Sequence, residues 1–347
     1  MIEINNTTAA KYLQSTGRGA AAEFQVRELA GGVSNVVLLV TPAGGKPFVL
    51  KQARGRLRVK DEWLCPVERI WREVDVLRIC ASVIGMRTAE CGMRNGMQIV
   101  VPQVLWEDRA NYVYAMSAAP EGHRTWKELL LAGELTDAET IAEACGRLLA
   151  ALHEGTWQDA AIADQLADRS FFDQLRLDPY YRQIARVHPE LAPQIGNVLD
   201  SVWQHRRCLV HGDFSPKNLL VSAGQLMLID FEVGHFGDPA FDLGFFLTHL
   251  VLKAIWAGPR GNEYSQLADR FWTTYSGTLR PSIGDGELAD LARRMLANVA
   301  ACVLARVDGK SPVDYLTHPQ QSAVRRLAAG WLMQPPADWN ALRESLA

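Results

Sequence analysis

The sequence predicts an α+β protein of two lobes: an antiparallel sheet with one main helix over residues 1–116, a connector at 117–122 and a mainly helical lobe over 123–347. Three observations carry this expectation. Short apolar runs broken by glycine turns fill the first third, as hairpin strands do. Apolar residues at helical spacing dominate the rest. Between them, two apolar runs (Cys208-Leu209-Val210 and Leu226 to Ile229) each lead into a polar cluster, His211 to Asn218 and Asp230-Phe231-Glu232. At 347 residues and 48% hydrophobic content the chain can bury two cores.

In the first lobe, Gly31-Gly32-Val33-Ser34-Asn35 precedes the run Val36 to Val40, and Pro42-Ala43-Gly44-Gly45 turns it back into Phe48-Val49-Leu50-Lys51. A glycine-containing loop ahead of a hairpin lets backbone N–H groups approach phosphates, so Gly32, Ser34 and Asn35 are candidate nucleotide-binding positions. A plain turn is the alternative, because the chain has 27 glycines and the G-x-G-x-x-G order is missing. Lys51 ends a strand. Val67, Ile70, Trp71, Val74, Leu77 and Ala81 then recur at helical spacing, with Pro66 suited to a first turn. Glu73 lies beside that stripe and is expected to face inward and pair with Lys51; Glu62 and Glu68 are the other partners open to it. Tyr112 to Met116 reads as the last strand of this lobe, and Ser117 to Gly122 as the connector.

In the second lobe, Thr136 and Glu139 fit a capping box opening a helix with Ile141, Cys145, Leu148, Leu149 and Leu152 on one face. His153 at its end reads as structural. Further helices are expected between Asp164 and Arg207, with Tyr180, Tyr181 and Trp203 in the core or lining an acceptor pocket. The most apolar stretch, Ala240 to Trp256, is interrupted by Asp242, His249 and Lys253, which argues against a membrane span.

The two polar clusters suit phosphoryl transfer, whose catalysis is mostly positioning and charge stabilisation. Asp213, at a strand end, can accept a hydroxyl proton. Asn218, five residues on, can offer a carbonyl oxygen to Mg²⁺, a hard cation that prefers oxygen. Leu219-Leu220-Val221 and Leu226 to Ile229 form a hairpin that is expected to return Asp230 to Asn218, and Glu232, two positions on in an extended segment, is expected on the same side as a further metal oxygen. Alone, either cluster is also what a turn or a surface segment produces. His211 reads as packing, and Lys217 as a phosphate contact or a solvated loop lysine.

A formal net charge of −3 supplies no basic bias for nucleic acid or a membrane surface. Cys65, Cys80, Cys91, Cys145, Cys208 and Cys302 lack metal-ligand spacing, so reduced core thiols are expected. The first residues lack the apolar run of a signal peptide, so the expectation is a cytoplasmic protein acting on a small hydroxyl-bearing molecule. Its oligomeric state is left open.

The His-x-Asp loop with its downstream Asn, the second metal acid and the segment Gly234 to Gly244 resemble the aminoglycoside phosphotransferase and choline kinase group, which has a protein-kinase-like fold. That resemblance implies ATP and Mg²⁺ as cofactors, Asp213 as catalytic base, Asn218 and Asp230 as metal ligands, Asp242 as a brace for the loop, and Lys51 at the phosphates held by Glu73. It also implies that the backbones of Ser117 and Ala119 contact adenine at the hinge. A protein kinase is disfavoured, since no Ala-Pro-Glu motif follows Asp230. The stretch Leu50 to Leu77 is similar to methylthioribose kinases, which also use an Asp-x-Glu metal motif; by that analogy Trp63 closes over the nucleotide with Arg58 or Lys60 near its phosphates. Two departures stand against it: Asn218 belongs to the aminoglycoside pattern, and the paired late-helix arginines of methylthioribose kinases are replaced by Arg306 alone, Arg325-Arg326 lying in a different setting. Acids and arginines balance beyond Val251, which leans away from a polycationic antibiotic and toward a neutral sugar or alcohol. An antibiotic O-phosphotransferase is the alternative, and an inactive nucleotide-binding scaffold is the alternative of another class.

Overall fold

The structure is a computed structural model and describes residues 2–29, 35–55, 66–91 and 96–346. Its strands are β1 (Phe24–Glu28), β2 (Asn35–Pro42), β3 (Phe48–Ala53), β4 (Gln98–Val100), β5 (Val104–Asp108), β6 (Val113–Ser117), β7 (Arg124–Thr125), β8 (Cys208–Val210), β9 (Leu219–Ser222), β10 (Gln225–Leu228) and β11 (His235–Gly237). The chain divides into two compact units. The first comprises Met1–Ser82, Val101–Gly122 and Ile229–Glu232, the second the remainder.

The first unit is an antiparallel sheet in the order β1-β2-β3-β6-β5. Side chains alternate across a strand, so Val36, Leu38 and Val40 of β2 and Leu50 of β3 face one side. There they meet Ile4 and the Tyr12 and Leu13 side chains of α1 (Ala9–Ser15). Lys51, next to Leu50, therefore points to the opposite side, toward α2 (Arg69–Cys91). Ile70, Val74 and Leu77 of α2 are fully buried, and each such burial stabilises by about 1.5–3 kcal/mol.

The second unit holds the sheet β4-β10-β9-β7 and the two-stranded ladder β8-β11. The β9-β10 hairpin turns through Ala223-Gly224, with Gly224 at φ 72°. The helices are α3 (Trp126–Ala132), α4 (Ala138–Gly155), α5 (Ala160–Gln165), α6 (Ser170–Phe172), a π-helical run Asp173–Arg182, α7 (Gln183–Val187), α8 (Ala192–Gln204), α9 (Pro239–Ala257), α10 (Gly261–Asp308, broken at Gly284), α11 (His318–Met333) and α12 (Trp339–Glu344). α4, α9 and α10 pack together. Their closeness needs glycine: a Cβ on Gly146 of α4 would lie 2.7 Å from the Phe271 carbonyl, and one on Gly244 of α9 would collide with Asn298. α9 is apolar and long enough to cross a membrane by composition, yet the apolar stretch is 83% buried within the protein, as in a core helix. Cys80, Cys145, Cys208 and Cys302 are buried free thiols.

The Thr136–Glu139 capping box is absent. α4 starts one residue later, after Asp137, so Glu139 takes the second helical position instead of the third and reaches Arg270 at 3.4 Å. A capping box does open α3, where Thr125 Oγ1 accepts from the Glu128 backbone N–H and Glu128 Oε2 accepts from that of Thr125.

Candidate active site

Within the first unit the chemistry gathers on Lys51. Its ammonium is buried, 2.5 Å from Glu73 Oε1 and 3.3 Å from Asp230 Oδ1. Burial opposes the charge on Lys51, but Glu73, with Asp230 and Glu232 beyond it, overcomes this and holds the lysine pKa well above its ordinary value. Burial acts in the other direction on Glu73, pushing its carboxyl up to about 7, with Lys51 pulling against it. This is the pairing expected from the helical position of Glu73.

Asp230 and Glu232 do not lie in an extended segment. Asp230 has φ 73°, in the left-handed region that side-chain-bearing residues seldom adopt, and the chain turns through 232–233. Strand alternation therefore does not relate the two carboxylates. Glu232 is instead gripped by its own pair of donors, Asn35 Nδ2 at 3.1 Å and Arg69 Nε at 3.3 Å. Arg69 is fully buried and is fixed further by the carbonyls of Pro66 (2.8 Å) and Arg54 (2.9 Å). Sequence reasoning missed Arg69. The available signal was its place at the first position of α2, where the helix dipole disfavours a cation unless a partner supplies compensation.

Of the other expected nucleotide-binding positions, Asn35 is buried on Glu232. Gly32 and Ser34 lie outside the described residues, as do Arg58, Lys60, Glu62 and Trp63. The Ser117 backbone N–H donates to the Gln103 carbonyl at 2.9 Å, so that group is already engaged. Ala119 stands in the irregular stretch 118–120.

Within the second unit, β8 delivers the chain into the loop that carries Asp213. Asp242, near the start of α9, accepts from the backbone N–H groups of His211 (2.7 Å) and Gly212 (2.8 Å). Gly212 turns at φ 76°, and a Cβ there would press on Val233. His211 Nδ1 accepts from the Asp213 N–H at 3.1 Å, which is the packing role read from the sequence. His153 joins the brace, with Nδ1 on the Tyr275 hydroxyl at 2.8 Å and Nε2 3.4 Å from Asp242.

Asp213 itself is 2% exposed. Its Oδ2 takes Asn218 Nδ2 at 2.9 Å, Lys217 Nζ at 2.9 Å and an Arg176 Nη at 2.8 Å. Burial alone would raise its pKa; Arg176 and then Lys217 outweigh burial and lower it to about 2. Because the folded value lies below the unfolded one, Asp213 contributes stability above about pH 4 that is lost as pH falls through the folded value. Arg176 also donates to the Gly212 carbonyl at 2.9 Å and comes from the π-helical run, a feature no periodicity announces. Replacing Arg176 with Gln should therefore raise the Asp213 pKa and move the acid limb of the pH–rate profile upward. An acid limb that stays in place in that variant would remove Arg176 from this role.

Within the first unit Asp230 and Glu232 supply carboxylate oxygens, and the Asp230 side chain keeps 26% of its surface open. These donors suit a hard divalent cation. Among the described residues no three His, Cys, Asp or Glu side chains form a ready-made metal cluster.

A family model described as "Phosphotransferase enzyme family" matches residues 25–281. Methylthioribose kinase 2 of Oryza sativa subsp. japonica is 25% identical over 260 residues, covering 67% of this chain and 58% of that protein, so the chain spans a little over half the length of this relative. Among solved structures, macrolide 2′-phosphotransferase from Brachybacterium faecium superposes with a TM-score of 0.52 at 21% identity, covering 95% of this chain and 98% of that one. An amicoumacin kinase in complex with AMP-PNP and Ca²⁺ superposes with a TM-score of 0.50 at 15% identity, covering 98% and 100%.

Proposed function

Because the chain belongs to the phosphotransferase enzyme family, we propose that it transfers the γ-phosphoryl group of ATP, with Mg²⁺, to a hydroxyl of a small metabolite. Residues 1–116 hold the nucleotide, 117–122 form the hinge, and 123–347 carry the catalytic loop and the acceptor. Lys51 contacts the α- and β-phosphates while Glu73 fixes its ammonium. Asp230, Glu232 and Asn218 hold Mg²⁺, which when bound neutralises charge on the phosphate oxygens. Asp213 takes the acceptor hydroxyl proton.

The observation that carries this reading is the state of Asp213: a buried carboxylate, kept ionised by two cations, on a loop whose backbone is tied down by Asp242. Phosphoryl transfer relies on positioning and charge stabilisation more than on basicity, and an ionised carboxylate fixed on a braced loop supplies that positioning. The AMP-PNP and Ca²⁺ in the amicoumacin kinase complex support a nucleotide and a divalent metal.

A methylthioribose-like sugar is the first acceptor to test, on the likeness to methylthioribose kinases. A polycationic antibiotic is the weaker reading, because Arg176 and Lys217 already crowd Asp213 with positive charge. ADP release should be measured with Mg-ATP across methylthioribose, ribose, choline, ethanolamine, homoserine, kanamycin and a macrolide. Stimulation by a sugar supports the reading. Stimulation by kanamycin alone moves the acceptor to the antibiotic class, and bound ATP with no ADP release for any hydroxyl compound leaves the inactive scaffold.

A further inference from the structure

α9 runs away from the catalytic loop. Beyond Asp242 it places Phe245, His249 and Lys253 at successive turns, the last two about 10 and 16 Å along the axis from Asp242 at the usual rise per residue. His249 is 9% exposed and Lys253 only 1%. The Lys253 ammonium bonds to the carbonyl of His249 at 3.4 Å, within its own helix, and lies 5.4 Å from the Tyr315 ring. Arg306 of α10 reaches the Tyr180 hydroxyl at 3.0 Å and Ser311. His249 Nε2, Arg306 Nε and the Tyr315 hydroxyl are each buried with no hydrogen-bonding partner.

These groups are continuous with the catalytic loop. Arg176, the partner of Asp213, sits 6.0 Å from the Phe245 ring, and Phe245 packs edge-on against His249 (5.2 Å) and against Tyr180 (5.8 Å). The charges are one-sided. The charged neighbours acting on Lys253 are Lys127 and Arg306, and on His249 they are Arg306, Lys253, Lys217 and Lys127. The nearby acids are committed or turned outward: Asp178 is paired with Lys310 and Arg186, Asp308 with Arg325 and His188, and Asp314, which acts on Tyr315, is exposed. Among the described residues no carboxylate forms an ion pair with Lys253 or Arg306. Burial with those cations around it pushes the Lys253 pKa down to about 7.

An acid-free group of two cations, an imidazole and a phenol, with Lys253 and His249 buried, Arg306 and Tyr315 half-buried and donors left over, is costly unless an anion completes it. We propose that Lys253, Arg306, His249 and Tyr315 form a subsite for the anionic group, a carboxylate or a phosphate, of the acceptor molecule. The proposal rests on the kinase reading for the reaction at Asp213 and favours sugar acids, hydroxy acids or sugar phosphates as acceptor over a neutral sugar such as methylthioribose.

Two measurements test it on the full chain. The first is calorimetric titration of inorganic phosphate into protein saturated with Mg-AMP-PNP. Phosphate should bind the native protein, and at least about tenfold more weakly to Lys253→Met and Arg306→Gln, the loss of one charge-assisted contact. The second is ADP release with matched acceptors: ribose 5-phosphate against ribose, gluconate against glucose, glycerate against glycerol. The anionic member should show the higher kcat/KM, and Lys253→Met should abolish that preference mainly through KM. Lys253→Met keeps the aliphatic stem, so its melting temperature verifies the fold. Equal or better use of the neutral members, or an anion preference unchanged in folded Lys253→Met, overturns the subsite and leaves the kinase reading standing. Phosphate binding that depends on Lys253 with no acceptor phosphorylated supports the subsite and counts against the kinase reading. No phosphate binding at all overturns the subsite.

Discussion

Asp213→Ala is expected to lower turnover at least about a hundredfold while Mg-ATP binds almost as before, the usual scale of a general-base contribution. The variant should fold. Lys217 is half exposed and turns to water, while Arg176 keeps the carbonyls of Gly212 and Leu175. The loop keeps its shape because Asp242 holds the backbone of His211 and Gly212, and that contact does not involve the Asp213 side chain. Single-turnover phosphoryl transfer alongside a nucleotide titration checks the expectation. Turnover within a few-fold of native would take the proton-acceptor role away from Asp213.

The second large effect is expected at Lys51. Lys51→Met should cut kcat/KM for Mg-ATP by about a hundredfold or more, since an electrostatic group aimed at the phosphates is lost. It should also destabilise the first unit, because breaking a buried ion pair costs about 3–5 kcal/mol. The cost should fall at the low end: Glu73, already pushed up by burial to about 7, is driven further up without Lys51 and takes a proton instead of standing as a lone buried charge. The double variant Lys51→Met, Glu73→Leu should recover stability and not activity. Melting temperature and ADP release, measured on the same preparations, separate the two. Recovery of both would mean that Lys51 only balances Glu73.

The same pair sets a pH signature. The folded pKa of Glu73 lies above its unfolded value, so as pH rises between the two the unfolded chain ionises first. The contribution of Glu73 to stability therefore declines from about pH 4.5 up to its folded value and is flat above it. Glu73→Gln should remove that decline, as read from denaturant midpoints across the range.

Where a single local rule decided the outcome, the sequence was readable. The apolar run ending at Lys51 was legible as a strand, here β3; period 3.6 placed Glu73 inward on α2; and the paired apolar runs Leu219 to Val221 and Leu226 to Ile229 were legible as the β9-β10 hairpin. The family's expectation that Asp242 braces the loop agrees with its hydrogen bonds to His211 and Gly212. Reading failed where two local rules competed or where a long-range partner decided. Thr125-Trp126-Lys127-Glu128 and Thr136-Asp137-Ala138-Glu139 fit the capping box equally, and only the tertiary start of α4 separates them. Asp230 looked like the end of a strand because nothing in its neighbours signals a left-handed residue. Arg69 and Arg176 take their meaning from carboxylates 163 and 37 positions away along the chain, and the cationic stretch of α9 and α10 becomes visible only when both helices are in place.

The backbone at Asp230 has an evolutionary consequence. A left-handed conformation suits glycine or asparagine, and aspartate there gives up about 1 kcal/mol against the best residue. Heat tolerance and turnover therefore pull this codon in opposite directions. In a variant population screened only for surviving heat, glycine and asparagine should accumulate at position 230; in one screened for phosphorylated product, aspartate should persist despite its cost.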